Sequence, residues 1–252
     1  MVLINAILTA FSTYSSIPVP KVKWDEKNLK YSMCAFPLIG IVIGLISRFW
    51  IFISDRFIPS PILKALILTL IPLWISGGIH LDGFIDVSDA LSSHASKEKK
   101  HDILKDPHMG AFAAIHLVSI ILLNFSAFAS FKYIDPTLLL LIYTLSRCLS
   151  GYSVVTFPVS KNSTLLKTYS DSSDRKNVQM ILTVFSLTVI FLMMLRGPGG
   201  ILSVMAALII LAVYRQVSVK EFGGINGDMA GWFLCIAETA MILITVISQF
   251  LF

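Results

Sequence analysis

The sequence predicts an all-α membrane protein: a polytopic transmembrane helical bundle of about seven spans, with an N-terminal interfacial or re-entrant helix. Of its 252 residues, 56% are hydrophobic and only 14% are charged, with a mean hydropathy of +0.80. A soluble domain carries about 25% charged residues. The apolar runs approach the roughly 20 residues that a helix needs to cross the hydrocarbon core. Because no hydrophilic stretch is long enough to fold alone, we expect residues 1–252 to form a single integral membrane domain.

Seven apolar runs are candidate spans. The fifth and sixth are short and are joined by a tight turn, RGPG at residues 196–199. Residues 3–17 are too short and too rich in Ser and Thr for a span, and Pro18 and Pro20 end this segment, so an interfacial or re-entrant helix is expected. The candidate spans are residues 31–54, 61–81, 109–131, 136–157, 178–195, 200–214 and 229–252.

Basic residues in the loops alternate along the chain and predict the topology. Four loops are rich in Lys and Arg, with four, four, four and two of them, and the loops between carry one each. The positive-inside rule places the rich loops in the cytoplasm and, with seven spans, the C-terminus outside. The rich loops are residues 21–30, 82–108, 158–177 and 215–228, and the poor loops hold Arg56, Lys132 and Arg196.

The remaining composition argues against two classes of partner or site. The formal net charge is +5, but the basic residues lie in short loops between apolar runs, which is typical of membrane topology and not of a nucleic-acid partner. Cys34, Cys148 and Cys235 lie far apart inside apolar segments. They are therefore expected to be packing residues and not a disulfide framework or a zinc site.

The second candidate span runs into an aspartate-rich segment, HLDGFIDVSD at residues 80–89. On a helix, Asp82, Asp86 and Asp89 stand at i, i+4 and i+7 and share a narrow arc of one face. Three stacked carboxylates repel one another, and a divalent cation would reverse that effect. Hard cations such as Mg²⁺ prefer carboxylate oxygens and complete their shell with water and substrate phosphates. The segment therefore predicts a metal site for a hard divalent cation such as Mg²⁺.

A solvated acidic helix end is the alternative interpretation of this segment. Solvated faces normally mix charges of both signs, but no Lys or Arg occurs between Lys64 and Lys97. The aspartates also adjoin apolar sequence, where an unpaired carboxylate is costly. Both observations favour the metal site.

Two later segments can contribute to such a site. Lys105 and Asp106 directly precede the third span, where the lysine can bind phosphate and the aspartate can add a metal oxygen. The stretch GGINGDMAG, residues 223–231, lets the backbone take unusual dihedral angles and approach an anionic ligand closely. Asp228 would stand at the start of a helix, where an N-cap is the alternative.

Isolated charges inside spans are also candidates, because charge in the bilayer interior is costly. Arg147 can either clamp a phosphate or pair with Glu238, whereas Arg48 can snorkel to the interface. The lysines at 97–100 are interpreted as a topology signal. His80 lies on a different helix face from Asp82, and its role is open.

Together these motifs resemble the cobalamin synthase family, the adenosylcobinamide-GDP ribazoletransferases, along nearly the whole chain. The HLDG pattern with its two following aspartates is the most specific part, and the proline and glycine pieces occur in the right order. The matching segments are SSIPVP at 15–20, FPLIG at 36–40 with Gly44, HLDG at 80–83 with Asp86 and Asp89, Lys105-Asp106 with Gly110, and residues 223–231.

The resemblance implies a Mg²⁺-dependent step of coenzyme B12 assembly in a prokaryotic inner membrane, with the active site facing the cytoplasm. The ribose 3′-hydroxyl of α-ribazole, or of its 5′-phosphate, attacks the corrinoid-linked phosphorus of adenosylcobinamide-GDP, and GMP leaves. Such a transfer requires a neutralised diphosphate and a held nucleophile, which carboxylate-bound Mg²⁺ supplies. The implied partners are these substrates and the lipid bilayer.

The resemblance also implies roles for individual residues. The expected metal ligands are Asp82, Asp86, Asp89, Asp106 and Asp228. The expected catalytic residues are Asp82, Lys105 against phosphate charge, and His80 as a general base or orienting group. The expected substrate contacts are Gly83, Lys105, Arg147, Gly224, Asn226 and Gly227.

Two other functions compete with this one. CDP-alcohol phosphotransferases are also membrane helical bundles with aspartate-rich Mg²⁺ sites. Their sequence signature has an Ala-Arg pair shortly after Asp-Gly, where this chain has Phe84 and Ile85. A cation transporter would require carboxylates near the middle of the membrane, whereas these stand at the end of a span.

Overall fold

The structure, a computed structural model, describes residues 2–20, 22, 26–161, 163, 168 and 173–252. Parts of the two predicted basic loops at 21–30 and 158–177 lie outside the described residues, among them Lys21, Lys23 and Lys167. The described chain is almost entirely helical, with one isolated parallel bridge between Val159 and Ile225. The helices are α1 (Val2–Tyr14), α2 (Glu26–Leu29), α3 (Ser32–Phe57), α4 (Pro61–Ser76), α5 (Ile79–Ser92), α6 (Lys97–Ile103), α7 (Ala111–Ser130), α8 (Pro136–Thr156), α9 (Arg175–Met194), α10 (Pro198–Phe222) and α11 (Gly227–Leu251).

The polytopic helical bundle predicted from hydropathy is confirmed. Within the described residues, six helices are long and apolar enough to cross a membrane, and the bent pair α4–α5 raises the number to as many as seven. The short apolar helix expected at the N-terminus is α1. The six long helices are α3, α7, α8, α9, α10 and α11.

Helix α8 forms the centre of the bundle, with nearly all of its residues buried, and α3 packs along it. Gly40 and Gly44 of α3 face the α8 backbone, and a Cβ at Gly44 would lie only 2.5 Å from the Cα of Leu140. Small residues four positions apart let membrane helices approach closely and gain van der Waals contact. Gly40 of the FPLIG segment and Gly44 are therefore packing residues.

The predicted second span does not run straight through residues 61–81. Helix α4 ends at Ser76, and α5 starts at Ile79 at an angle of 95° to it. Between them, Gly77 and Gly78 have φ values of 63° and 81°, a left-handed conformation that glycine takes without steric cost. The aspartate segment is therefore a separate helix, outside the six long spans, that turns away from the axis of α4.

The sixth predicted span, residues 200–214, was too short. Helix α10 has 25 residues and ends only where Gly223 takes a φ of 71°. Polar residues such as Arg215 and Lys220 are good helix formers, so the helix continues beyond its apolar part until a glycine cap ends it. Much of the predicted loop at 215–228 is consequently helical.

Candidate active site

The three aspartates lie on one helix, as their spacing predicted. On α5, Asp82 is exposed, whereas Asp86 and Asp89 are half-buried. Asp89 accepts a hydrogen bond of 3.3 Å from the backbone N–H of Ala113 in the first turn of α7. The carboxylate thus faces a helix N-terminus, which carries partial positive charge.

A fourth carboxylate, that of Asp228, joins them from α11. Helices α5 and α11 cross in close contact: a Cβ at Gly83 would lie 2.7 Å from the Cα of Asp228, and a Cβ at Gly231 would lie 2.7 Å from the carbonyl oxygen of His80. Because neither glycine has a side chain, the two backbones can touch. This contact brings the first turn of α11 beside the aspartates of α5.

Asn226, and not Asp228, caps α11. Its Oδ1 accepts a hydrogen bond of 2.8 Å from the N–H of Met229, and its Nδ2 donates one of 3.1 Å to the Asp228 carboxylate. The N-cap alternative for Asp228 was therefore wrong, because the helix begins two residues earlier than expected. Gly224 packs against the backbone of residues 158–160, and the Ser160 N–H donates to the Ile225 carbonyl at 2.9 Å.

Burial and mutual repulsion both disfavour the charged form of the carboxylates in this cluster. Burial, followed by the charges of Asp82, Asp228 and Asp89, raises the pKa of Asp86 to about 6. Within the described residues, none of these four carboxylates forms an ion pair with a Lys, Arg or His. The cluster therefore carries uncompensated negative charge, which a cation would stabilise.

The four carboxylates fit a Mg²⁺ ion that is bound partly by substrate, and not one that is enclosed by protein ligands alone. In the part of the chain that the structure describes, no three His, Cys, Asp or Glu side chains are arranged to hold an ion by themselves. Mg²⁺ commonly binds through one or two carboxylates while substrate phosphates and water complete its shell. Four unpaired carboxylates suit that mode, and an all-protein cage does not fit.

A cavity of about 130 Å³ lies beside the cluster, with Asp82 and Asp228 among its lining residues. His80 also lines it; this side chain is 8% exposed, and its Nε2 has no hydrogen-bond partner among the described residues. Two further aromatic residues, Tyr14 and Phe36, also line the cavity. The sequence motifs gave no role to either ring, although Tyr14 adjoins the SSIPVP segment and Phe36 begins FPLIG.

The SSIPVP segment caps α4 at the bend. The N–H of Ser16 donates a hydrogen bond of 2.8 Å to the Ile75 carbonyl, and its hydroxyl donates to the Trp74 carbonyl. The last carbonyls of a helix have no partner within the helix and need such donors. By meeting this need, the segment holds the end of α1, with Tyr14, beside His80.

Lys105 and Asp106 are not brought into the cluster. Both are exposed in the connection between α6 and α7. Asp106 accepts a hydrogen bond of 2.9 Å from the His108 N–H and lies 2.8 Å from its Nδ1, and these contacts lower the pKa of the Asp106 carboxyl. Asp106 is not among the carboxylates whose charges raise the pKa of Asp86. The roles of both residues stay predictions.

Arg147 adopts the second of its two predicted alternatives. It is buried in α8, and its guanidinium pairs with the Glu238 carboxylate of α11. Ser146 donates a hydrogen bond of 2.7 Å to the same carboxylate. Binding a phosphate through Arg147 would require breaking this buried pair, which is strongly unfavourable.

One lysine of the segment 97–100 has a structural role that the charge pattern did not indicate. Lys100 is buried and forms an ion pair with Glu221 near the end of α10. The neighbouring His101 places its Nε2 3.1 Å from the Phe222 carbonyl oxygen. These contacts fasten α6 to α10 just before the glycine-rich segment.

Comparison with known proteins accounts for nearly the whole chain. The family model described as cobalamin-5-phosphate synthase matches residues 6–246. Relatives that match nearly the whole chain carry the name adenosylcobinamide-GDP ribazoletransferase. The one from Lachnoclostridium phytofermentans is 36% identical over 247 residues, covering 98% of this chain and 95% of the relative. One from Clostridium perfringens is 34% identical (96% and 98%), and one from a Geobacillus species is 30% identical (93% and 92%). No solved structure matches the chain.

Proposed function

The chain belongs to the cobalamin-5-phosphate synthase family and is a transferase of cobalamin synthesis, and we propose that its reaction uses Mg²⁺. The adenosylcobinamide-phosphate group passes from adenosylcobinamide-GDP to α-ribazole or α-ribazole 5′-phosphate, and GMP is released. The relatives' names support the choice of substrates. The observation that carries the proposal is the group of four carboxylates, Asp82, Asp86 and Asp89 of α5 with Asp228 of α11, in which burial and the charges of the other three raise the pKa of Asp86.

In the proposed mechanism, Asp86 and Asp228 would hold the ion, with substrate phosphate and water completing its shell, and Asp82 and Asp89 add to the negative field. Mg²⁺, when bound, neutralises the diphosphate of the donor substrate. Asn226 keeps Asp228 in place through its 3.1 Å hydrogen bond. Positioning and charge neutralisation contribute most to phosphoryl transfer. Asp82, which is exposed and has no ion-pair partner in the described part of the chain, accepts the proton of the attacking 3′-hydroxyl.

The site is proposed to face the cytoplasm from a prokaryotic cell membrane. Two kinds of observation support this side. The aspartates precede a connection with four lysines, and Asp228 follows a helix end with Lys220, a distribution that the positive-inside rule assigns to the cytoplasm. Nucleotide substrates are also available on that side. Family membership sets aside the CDP-alcohol phosphotransferase and the cation transporter.

Turnover by the purified full-length protein in nanodiscs tests this function. Adenosylcobinamide-GDP and α-ribazole should give GMP and a cobalamin product with Mg²⁺, and chelation by EDTA should stop the reaction. Asp82→Ala should lower kcat/KM by at least about 100-fold, as expected for loss of a preorganised charged group. Asp102→Ala is the matched control, because Asp102 is exposed on α6 and its side chain forms no hydrogen bond or ion pair among the described residues. No product with Mg²⁺ present, or equal rates for Asp82→Ala and wild type, would contradict the proposal.

A further inference from the structure

The cavity beside Asp82 has the size and lining of a site for a flat aromatic group. Its volume of about 130 Å³ approaches the roughly 150 Å³ of a cavity known to bind benzene. Met33, Val154 and Leu234 supply apolar walls, whereas the two carboxylates, Asp82 and Asp228, belong to the neighbouring cluster. The lining therefore combines apolar and aromatic side chains with two carboxylates.

Three rings line the cavity. The rings of Tyr14 and His80 are nearly parallel, with an interplanar angle of 21° and centroids 6.3 Å apart. Phe36 meets His80 edge-on, at 5.8 Å and 66°, and its centroid is 4.8 Å from that of Tyr14. Aromatic side chains in such arrangements stack on planar heterocycles and stabilise their binding.

The nitrogen of His80 that has no hydrogen-bond partner indicates that a ligand of this cavity carries a polar atom. Buried polar side-chain atoms are nearly always hydrogen-bonded, and an unsatisfied one is costly. His80 is 8% exposed, lines the cavity and leaves Nε2 without a partner among the described residues. A ring nitrogen on a bound heterocycle would satisfy it.

We propose that this cavity binds the planar base of the acceptor nucleoside, with its ribose towards Asp82 and Asp228; the proposal rests on the proposed function. The base of α-ribazole is a benzimidazole with one free ring nitrogen, which matches the single unpartnered nitrogen of His80. The guanine of the donor is the other planar base. Its several donors and acceptors would be left largely unpaired against Met33, Phe36 and Leu234. His80 is then a positioning residue, and the bound base directs the 3′-hydroxyl to the carboxylates.

Steady-state kinetics of Tyr14 variants test the site in full-length protein in nanodiscs. Tyr14→Leu should raise the KM for α-ribazole about 10-fold through lost stacking, leaving the KM for adenosylcobinamide-GDP within twofold. Tyr14→Phe keeps the ring and should restore the wild-type KM. Tyr133→Leu is the matched control, because Tyr133 is 68% exposed in the connection between α7 and α8.

Equilibrium dialysis distinguishes the two bases and does not depend on turnover. α-Ribazole alone should bind wild type about 10-fold more tightly than Tyr14→Leu or Phe36→Leu, whereas GMP should bind all three equally. Weaker GMP binding with unchanged α-ribazole binding would assign the cavity to guanine and overturn the proposal. Unchanged binding of both would also overturn it. Turnover with an unaffected KM refutes only this inference, whereas absence of turnover in wild type refutes the proposed function.

Discussion

Asp82 and Asp228 come together through two residues that have no side chain, Gly83 and Gly231. The glycines let the backbones of α5 and α11 touch, and a methyl group forced into such a contact costs about 1–3 kcal/mol. The contact therefore fixes the two carboxylates beside each other, and their repulsion is a cost that a bound cation would relieve.

Gly83→Ala should disturb both stability and activity. The added Cβ would meet the Asp228 backbone at 2.7 Å, and backbone atoms cannot rotate away as a side-chain end can. We expect the free energy of unfolding to fall by about 1–3 kcal/mol and turnover to fall because Asp228 is displaced. Denaturant unfolding in detergent and the GMP-release assay measure the two effects.

Gly227→Ala is the matched control for stability. A Cβ at Gly227 would have no heavy atom within 4 Å, and this glycine does not have a positive φ. Its free energy of unfolding should stay within about 0.5 kcal/mol of wild type. Equal destabilisation by the two substitutions would show that the close contact at Gly83 is not important.

At the scale of elements, short connections and not long spans shape the site. The break at Gly77 and Gly78 turns α5 by 95°, and Ser16 satisfies the carbonyls that the break leaves free. Just before the glycine-rich segment, α6 is attached to α10 by Lys100 and Glu221. The site is thus bordered by one bend and two attachments that join neighbouring elements.

Exchanging the charges of Lys100 and Glu221 tests the attachment of α6. Lys100→Glu should lower the free energy of unfolding by about 2 kcal/mol, because it leaves like charges in a largely buried position. The double variant Lys100→Glu/Glu221→Lys should recover part of this loss. Lys99→Glu, on the exposed face of the same helix, should change stability by less than about 1 kcal/mol. A double variant no better than Lys100→Glu would contradict a direct pair.

At the scale of the whole molecule, the loop charges predict opposite sides for the α5–α7 and α7–α8 connections. Single cysteines at Lys99 and Lys132, both exposed, can be introduced after Cys34, Cys148 and Cys235 are replaced by Ala. In intact cells, a membrane-impermeant maleimide should label Lys132→Cys, whereas Lys99→Cys should react only after permeabilisation. Labelling of both from one side would contradict the topology.

Hydropathy and residue spacing determined the fold class, the approximate spans and the common helix of Asp82, Asp86 and Asp89. These features follow from local rules: backbone groups in lipid must satisfy their hydrogen bonds within a helix, and residues four apart share a helix face. Family motifs then indicated which segments belong together. Nothing local indicated that Lys100 is buried, because a lysine run looks alike whether it faces water or a partner.

Only the tertiary structure decided which helices meet. It turned the aspartate helix at Gly77 and Gly78, joined Asp228 to it, and left Lys105 and Asp106 on the surface. It also paired Arg147 with Glu238 and brought together Tyr14, Phe36 and His80 around the cavity, although no two of these rings are neighbours in sequence. Such choices depend on the close packing of distant segments, and the periodicity of a single segment contains no information about its neighbours.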